Sequence, residues 1–300
     1  MQSSSSPLAY SAGIATQSKQ VSVRGIRTML SKQPTTDESV FAKALTDPDA
    51  STRKKTLGAL QSYLEQGQSV SHYKLKNFLR LWKILYYTMW LTDKLPIQQE
   101  MIESLVGLVD KMQLPQQILF FEAFHVILLK EWNLLDQYRM NKFYLLTRSM
   151  LQKLFQLMAE AKWHLTTVST LRRVLDRVLT TSPNGPRFHI IDIFMEELHK
   201  SSIGKVSTGA FLELLHPFLE LLQSNVDKVV KQRIRENLVL KLLQMQYPSN
   251  QEGCGQPASK PAFPKLSCVA LQKKIFQLAS DESTLDSSRR FGLYYIGLHT

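Results

Sequence analysis

A chain of 300 residues, 44% of them hydrophobic and 21% charged, has the composition of a globular protein with a sizeable core, in one large or two ordinary domains. Its 37 Lys and Arg outweigh 25 Asp and Glu, leaving a net charge of +12, which favours acidic partners with nucleic acid first among them. No run approaches the ~18 apolar residues that cross a bilayer, and Cys254 and Cys268 form no CxxC pair of the kind that holds zinc.

Residues 1–36 carry Lys19, Arg24, Arg27 and Lys32 with no acidic residue and are rich in Ser and Thr. That composition predicts a disordered basic arm, with a mitochondrial transit peptide as the alternative. From Asp37 onward the chain reads as helix after helix, and strand-type alternation is nearly absent. Asp37 is placed to cap a short helix to about Thr46, Asp49 the next over 50–66, and Ser71 a long one through Leu91. Pro96 and Pro115 sit in first turns, where a missing N–H would be unpaired anyway. Their helices run to about Met112 and Glu131. Further helices are expected over 136–162, 166–181, 187–201, 208–224, 226–245 and 267–280. Ser182-Pro-Asn-Gly-Pro186 is a break. Residues 37–246 form the helical domain. Residues 247–264 hold four prolines and two glycines and read as a flexible loop, and 265–300 supply a C-terminal helix that completes the domain. Within the loop, GCGQPA (253–258) fits GxGxxG/A superficially, but no strand precedes it and a proline interrupts the helix that should follow.

Each of these amphipathic helices is too narrow to bury its apolar face alone, so neighbours must stack. The expected fold is all-α, an irregular HEAT-like helical-repeat solenoid of about eleven helices, with a compact bundle as the alternative. The segment LWKILYYTMWLTDKLPIQQE (81–100) is uncharged from Ile84 to Thr92. On a helix it is apolar almost all round, which marks an interior element, so Trp82 and Trp90 are expected in the core. Tyr87, near Arg80 and Lys83, is the one candidate for an outward base-stacking ring.

Signatures of catalysis are missing: there is no GxxxxGK[ST], GxSxG or HExxH, so neither an enzyme, a cofactor nor a small-molecule substrate is expected. Glu122/His125, Glu196/His199 and Glu213/His216 repeat the Glu-x-x-His spacing that di-iron bundles use. Further inward carboxylates are not evident, and ordinary i, i+3 surface pairs are the preferred reading. The basic clusters carry more promise: Arg53-Lys54-Lys55, Lys74/Lys76/Arg80, Arg172/Arg173/Arg177 and Lys228/Lys231/Arg235. Singly each is a solvated helix face. A solenoid that aligned them would present a strip that tracks phosphates without reading sequence, or meets an acidic protein surface; spacing along the chain does not say whether they align.

Four blocks then agree, in order and spacing, with one family. They are L81-W-K-I-L-Y-Y-T-M-W-L-T-D-K94, E131-W-N-L-L-D-Q-Y-R-M-N-K-F-Y-L-L-T-R148, R187-F-H-I-I-D-I-F-M-E-E-L198 and K273-K-I-F-Q-L-A-S280. Over roughly residues 40–300 the chain resembles the nucleolar ribosomal RNA processing protein 1 family. The resemblance implies a non-catalytic nucleolar factor in pre-rRNA processing and large (60S) subunit assembly, docking on the pre-ribosome through rRNA and assembly proteins. It also marks Trp82, Trp90, Trp132, Phe143 and Phe188 as core positions. Asp93, Asp136 and Asp192 are polar positions within the motifs. Asp93 is expected to cap the helix that follows it. Arg139, Lys142, Arg148, Arg187, Glu196 and Glu197, with Asp136 and Asp192, are expected in interhelix ion pairs or partner contacts.

Overall fold

The computed structural model describes residues 36–66, 72–246 and 260–280. Among them there is no strand. The helices are α1 (Thr36–Leu45), α2 (Ala50–Glu65), α3 (Leu75–Trp90), α4 (Leu95–Gly107), α5 (Leu114–Glu131), α6 (Gln137–Glu160), α7 (Leu165–Arg172), α8 (Asp176–Thr180), α9 (Asn184–Ser202), α10 (Thr208–Gln223), α11 (Lys228–Ile234), α12 (Lys241–Gln246) and α13 (Cys268–Ser280).

Local chemistry explains most of these boundaries. The Asp49 carboxylate accepts the Thr52 N–H at 2.8 Å and opens α2. Asp136 does the same for α6 through the Arg139 N–H at 3.0 Å, and Ser207 opens α10. Each bond satisfies one of the donors a helix start leaves orphaned. Pro96 and Pro115 occupy first turns as expected. Two expected helices are broken. A 3₁₀ turn over Arg173–Leu175 divides 166–181 into α7 and α8, and a π turn over Arg235–Leu240 divides 226–245 into α11 and α12. Asp93 does not cap α4. Lys94 holds that position without a side-chain bond, because the Asp93 carboxylate is engaged by Lys142 of α6. Ser71, residues 1–35 of the 1–36 arm and GCGQPA lie outside the described residues, and Thr36 already belongs to α1.

The helices form two layers of alternating membership. One runs α1, α3, α5, α8, α10, α13; the other runs α2, α4, α6, α9, α11. Each helix packs on the next of its own layer, two places on in the chain or nearly so, which is the arrangement of stacked hairpins. The core between the layers is continuous from Ala42 to Ile275. Phe263, in the stretch read as a flexible loop, is 1% exposed. Gln246 clamps it, its Oε1 accepting the Phe263 N–H and its Nε2 donating to the Phe263 carbonyl.

Candidate nucleic-acid interface

The motif tryptophans face inward. Trp82 is 1% and Trp90 4% exposed, and Trp82 packs against Phe120 and Phe124 of α5. Tyr86 stacks on Phe143 of α6 with centroids 4.4 Å apart. Tyr87 is fully buried, and its hydroxyl donates to Glu131 at 2.8 Å, so it is no platform for a base. Burial, then the Glu131 bond, holds that phenol well above its ordinary range. Lys142 joins the first two blocks. At 3% exposure its Nζ donates to the carbonyls of Trp90 and Thr92 at 2.8 Å each and to Asp93 at 3.2 Å. These are carbonyls that the end of α3 leaves without helical partners, and a cation there also opposes the helix dipole. Arg139 lies over the Trp90 ring at 4.9 Å and pairs with Asp136.

The second and third blocks meet the same way. Glu197, fully buried, accepts from Arg148 and from Gln152. Asp192 accepts from Arg233 and Asn237, and that guanidinium covers the half-buried Phe188 at 4.6 Å. Trp132, 8% exposed, rests on Gly185, where a Cβ would come within 2.4 Å of the indole. The motifs therefore describe how α3, α6 and α9 adhere.

The expected basic strip divides. Lys74, just before α3, and Lys76 and Arg80 on it are exposed, as are Arg173, Arg177 and Lys228. Arg172 is not: its side chain is 12% exposed, bonded to Glu213 and Asp176, so it ties α7 to α8 and α10. Lys231 is 5% exposed, its pKa lowered by burial and by Arg235 beside it. The face shared by Lys228, Lys231 and Arg235 turns partly into the protein, because α11 lies against both α9 and α10. In the first layer Phe78 packs on Phe120, Trp82 on Phe124, and Arg177 reaches Glu122 at 3.6 Å. Arg80, Glu122 and Arg177 thus stand at about one height on three successive helices. Lys74, Lys76 and Arg173 carry no ion pair among the described residues.

The Glu-x-x-His pairs do not converge. His125 is buried in the core and hydrogen-bonds the Val174 backbone, while Glu122 serves Arg177. Glu196 serves Lys200, and Glu213 serves Arg172. Among the described residues no three His, Cys, Asp or Glu side chains are grouped as a metal site would require. No helix there is long and apolar enough to cross a membrane.

Against this geometry, the family described as "Nucleolar protein, Nop52" matches residues 36–265. The chain belongs to the Nop52 family. It is similar to a ribosomal RNA processing protein 1 homolog of Drosophila melanogaster, 28% identical over 69% of this chain and 31% of that protein. It is also similar to the human homolog B, 27% identical over 66% of this chain and 27% of that one. A Dictyostelium discoideum homolog matches at 27% over 83% of this chain and 56% of its own length. The chain thus spans about a quarter to a little over half of these relatives. The Nop52 match covers the α3, α6 and α9 blocks and ends before α13. Gly185, which admits the Trp132 indole, carried a sequence signal only as part of a turn, and nothing in the turn named its partner.

Proposed function

We propose that this Nop52 chain acts in the nucleolus as a non-catalytic scaffold in pre-rRNA processing and large-subunit assembly. Its relatives are named for ribosomal RNA processing, and its surplus of 12 positive charges suits an RNA-rich particle. The observation that carries the reading is the exposed group Lys74, Lys76 and Arg80, of which Arg80 stands level with Arg177 across α5. Helices pack about 8–10 Å apart, so one RNA strand crossing the first layer reaches both groups. Ammonium and guanidinium groups there hold phosphates and release counterions. Arg173 and Lys228 extend the basic surface. A mitochondrial role has no support in the family, which is nucleolar by description.

The test compares the wild-type chain with Lys74→Glu/Lys76→Glu/Arg80→Glu by gradient sedimentation with pre-ribosomal particles and by RNA binding against salt. The variant loses particle association while its melting temperature stays within about 1 °C, as for surface substitutions. Its log K against log salt slope becomes shallower by about 2, at ~0.7 for each phosphate no longer neutralised. Unchanged association overturns the assignment of the surface, and absence of the wild-type chain from pre-ribosomal particles overturns the role. Association that survives RNase points instead to an acidic protein partner.

A further inference from the structure

The outward face of α6 differs in kind from that of α3. Along α3 the outward cations are Lys76, Arg80 and the half-buried Lys83; along α6 one stripe holds Tyr138, Asn141, Leu145, Ser149, Gln152 and Gln156, exposed or half-buried, and ends on the exposed Glu160. None of the six is charged. At 100° per residue they share one stripe, about 27 Å long at 1.5 Å per residue. Tyr138 is 85% exposed and Leu145 44%.

The borders of the stripe are the opposite of its centre. Towards α4 run the pairs Lys142–Asp93 and Lys153–Asp110. Towards α9 runs Arg148 with Glu196 and Glu197. An uncharged centre holding an exposed tyrosine, between charged rims, is the anatomy of a protein–protein interface. A single-stranded RNA platform needs cations beside the ring. Here the cations nearest Tyr138 in the helix are occupied, Arg139 by Asp136 and the Trp90 ring, and Lys142 by its buried carbonyls. Two exposed carboxylates carry no ion pair among the described residues: Glu160, at the far end of the stripe, and Glu103, on the helix α4 that packs beside α6 and bonded there by the Gln99 amide.

We propose that the α6 stripe docks an amphipathic helix of a protein partner. The partner's apolar residues, at helical spacing, cover Tyr138 and Leu145. Its flanking Lys or Arg residues answer Glu103 and Glu160. This contact is separate from the cationic face of α3 and does not depend on RNA.

The test places a photoreactive residue, Leu145→p-benzoylphenylalanine, in the full chain in cells, with Lys76→p-benzoylphenylalanine as the comparison. After irradiation the adducts are purified through the chain and the crosslinked peptides sequenced. The expected adduct at 145 is one protein segment with apolar residues at i, i+3 or i+4 and i+7 and basic residues beside them. Adding Tyr138→Asp lowers its yield about tenfold or more, as loss of an interface anchor does; the melting curve is unchanged because the ring is solvent-exposed. Adducts at 145 to RNA, to another copy of this chain or to nothing overturn the proposal. So does a protein adduct insensitive to Tyr138→Asp. RNA adducts at 76 report separately on the phosphate-binding reading.

Discussion

Lys142 offers the sharpest check on how the motifs hold the fold. Its ammonium is 3% exposed and bonded to two backbone carbonyls and one carboxylate. Two hydrogen bonds from a charged donor contribute about 1.5–3 kcal/mol each. Burying the ammonium takes back several kcal/mol of that, and burial is the largest cause lowering the Lys142 pKa. Lys142→Met keeps the stem and removes the charge, so it isolates the orphaned carbonyls of Trp90 and Thr92; the expected loss is about 1–3 kcal/mol. Lys142→Ala also removes three buried methylenes at ~0.8 kcal/mol each, for about 3–5 kcal/mol in all. Asp93→Ala costs under about 1 kcal/mol, because that side chain is 73% exposed and the pair is screened. Urea denaturation of the three variants at neutral pH measures the order. A methionine variant as stable as wild type refutes the clamp, and an Asp93 variant worse than the methionine one shows that the ion pair dominates instead. A folded-state pKa below the unfolded one means the unfolded chain binds more protons, so wild-type stability from this group rises as pH climbs through the folded value. The methionine variant lacks that rise.

Two further predictions concern buried contacts. Gly185→Ala places a methyl 2.4–2.8 Å from Trp132; overpacking of this kind costs about 1–3 kcal/mol. Shrinking the ring with Trp132→Leu relieves the added cost in a double-mutant cycle, and additive losses would show that the two sites do not touch. His125, buried and neutral, has its pKa lowered to about 4 from 6.5, chiefly by burial. Below pH 6.5 the unfolded state takes up a proton that the folded state refuses, so stability present above 6.5 is lost as pH falls towards 4, about 3 kcal/mol at ~1.4 per unit. Denaturation of wild type and His125→Leu across that window should show the variant losing about 3 kcal/mol less by that linkage; equal slopes refute the neutral buried ring.

The helices were legible in the chain because their signals are local. Asp49 and Asp136 mark starts through bonds within one turn, and Pro96 and Pro115 through a missing N–H that a first turn does not need. Two layers of stacked helices followed from the need to cover eleven apolar stripes. The interruptions at 173–175 and 235–240 were not legible, since nothing in the local residue pattern there separates a 3₁₀ or π turn from continuing helix. The basic clusters show the limit most clearly. Helical spacing put Lys228 and Lys231 on one face, and Arg172 beside Arg177, without saying where the neighbouring helices lie. Glu213 stands 41 residues from Arg172, and only packing reveals that it claims the guanidinium. Asp93 failed as a cap for the same reason: Lys142, 49 residues away, competes for its carboxylate.

Most side chains of the blocks that identify the family are therefore committed to packing, and Tyr138, Asn141 and Leu145 of the second block are exposed exceptions. Tyr86, Tyr87, Trp90, Lys142, Arg148 and Glu197 are fastened to one another across α3, α6 and α9, and a side chain held on all sides has little left to offer a ligand. Contact with RNA or protein must come from positions whose residue type packing does not dictate, namely the solvent faces of those helices. There the chain makes two different choices, cations on α3 and uncharged residues on α6. Solubility alone would be served by mixed charge on both. The contrast matches the two proposed contacts, since phosphates call for cations and the centre of a protein interface excludes them.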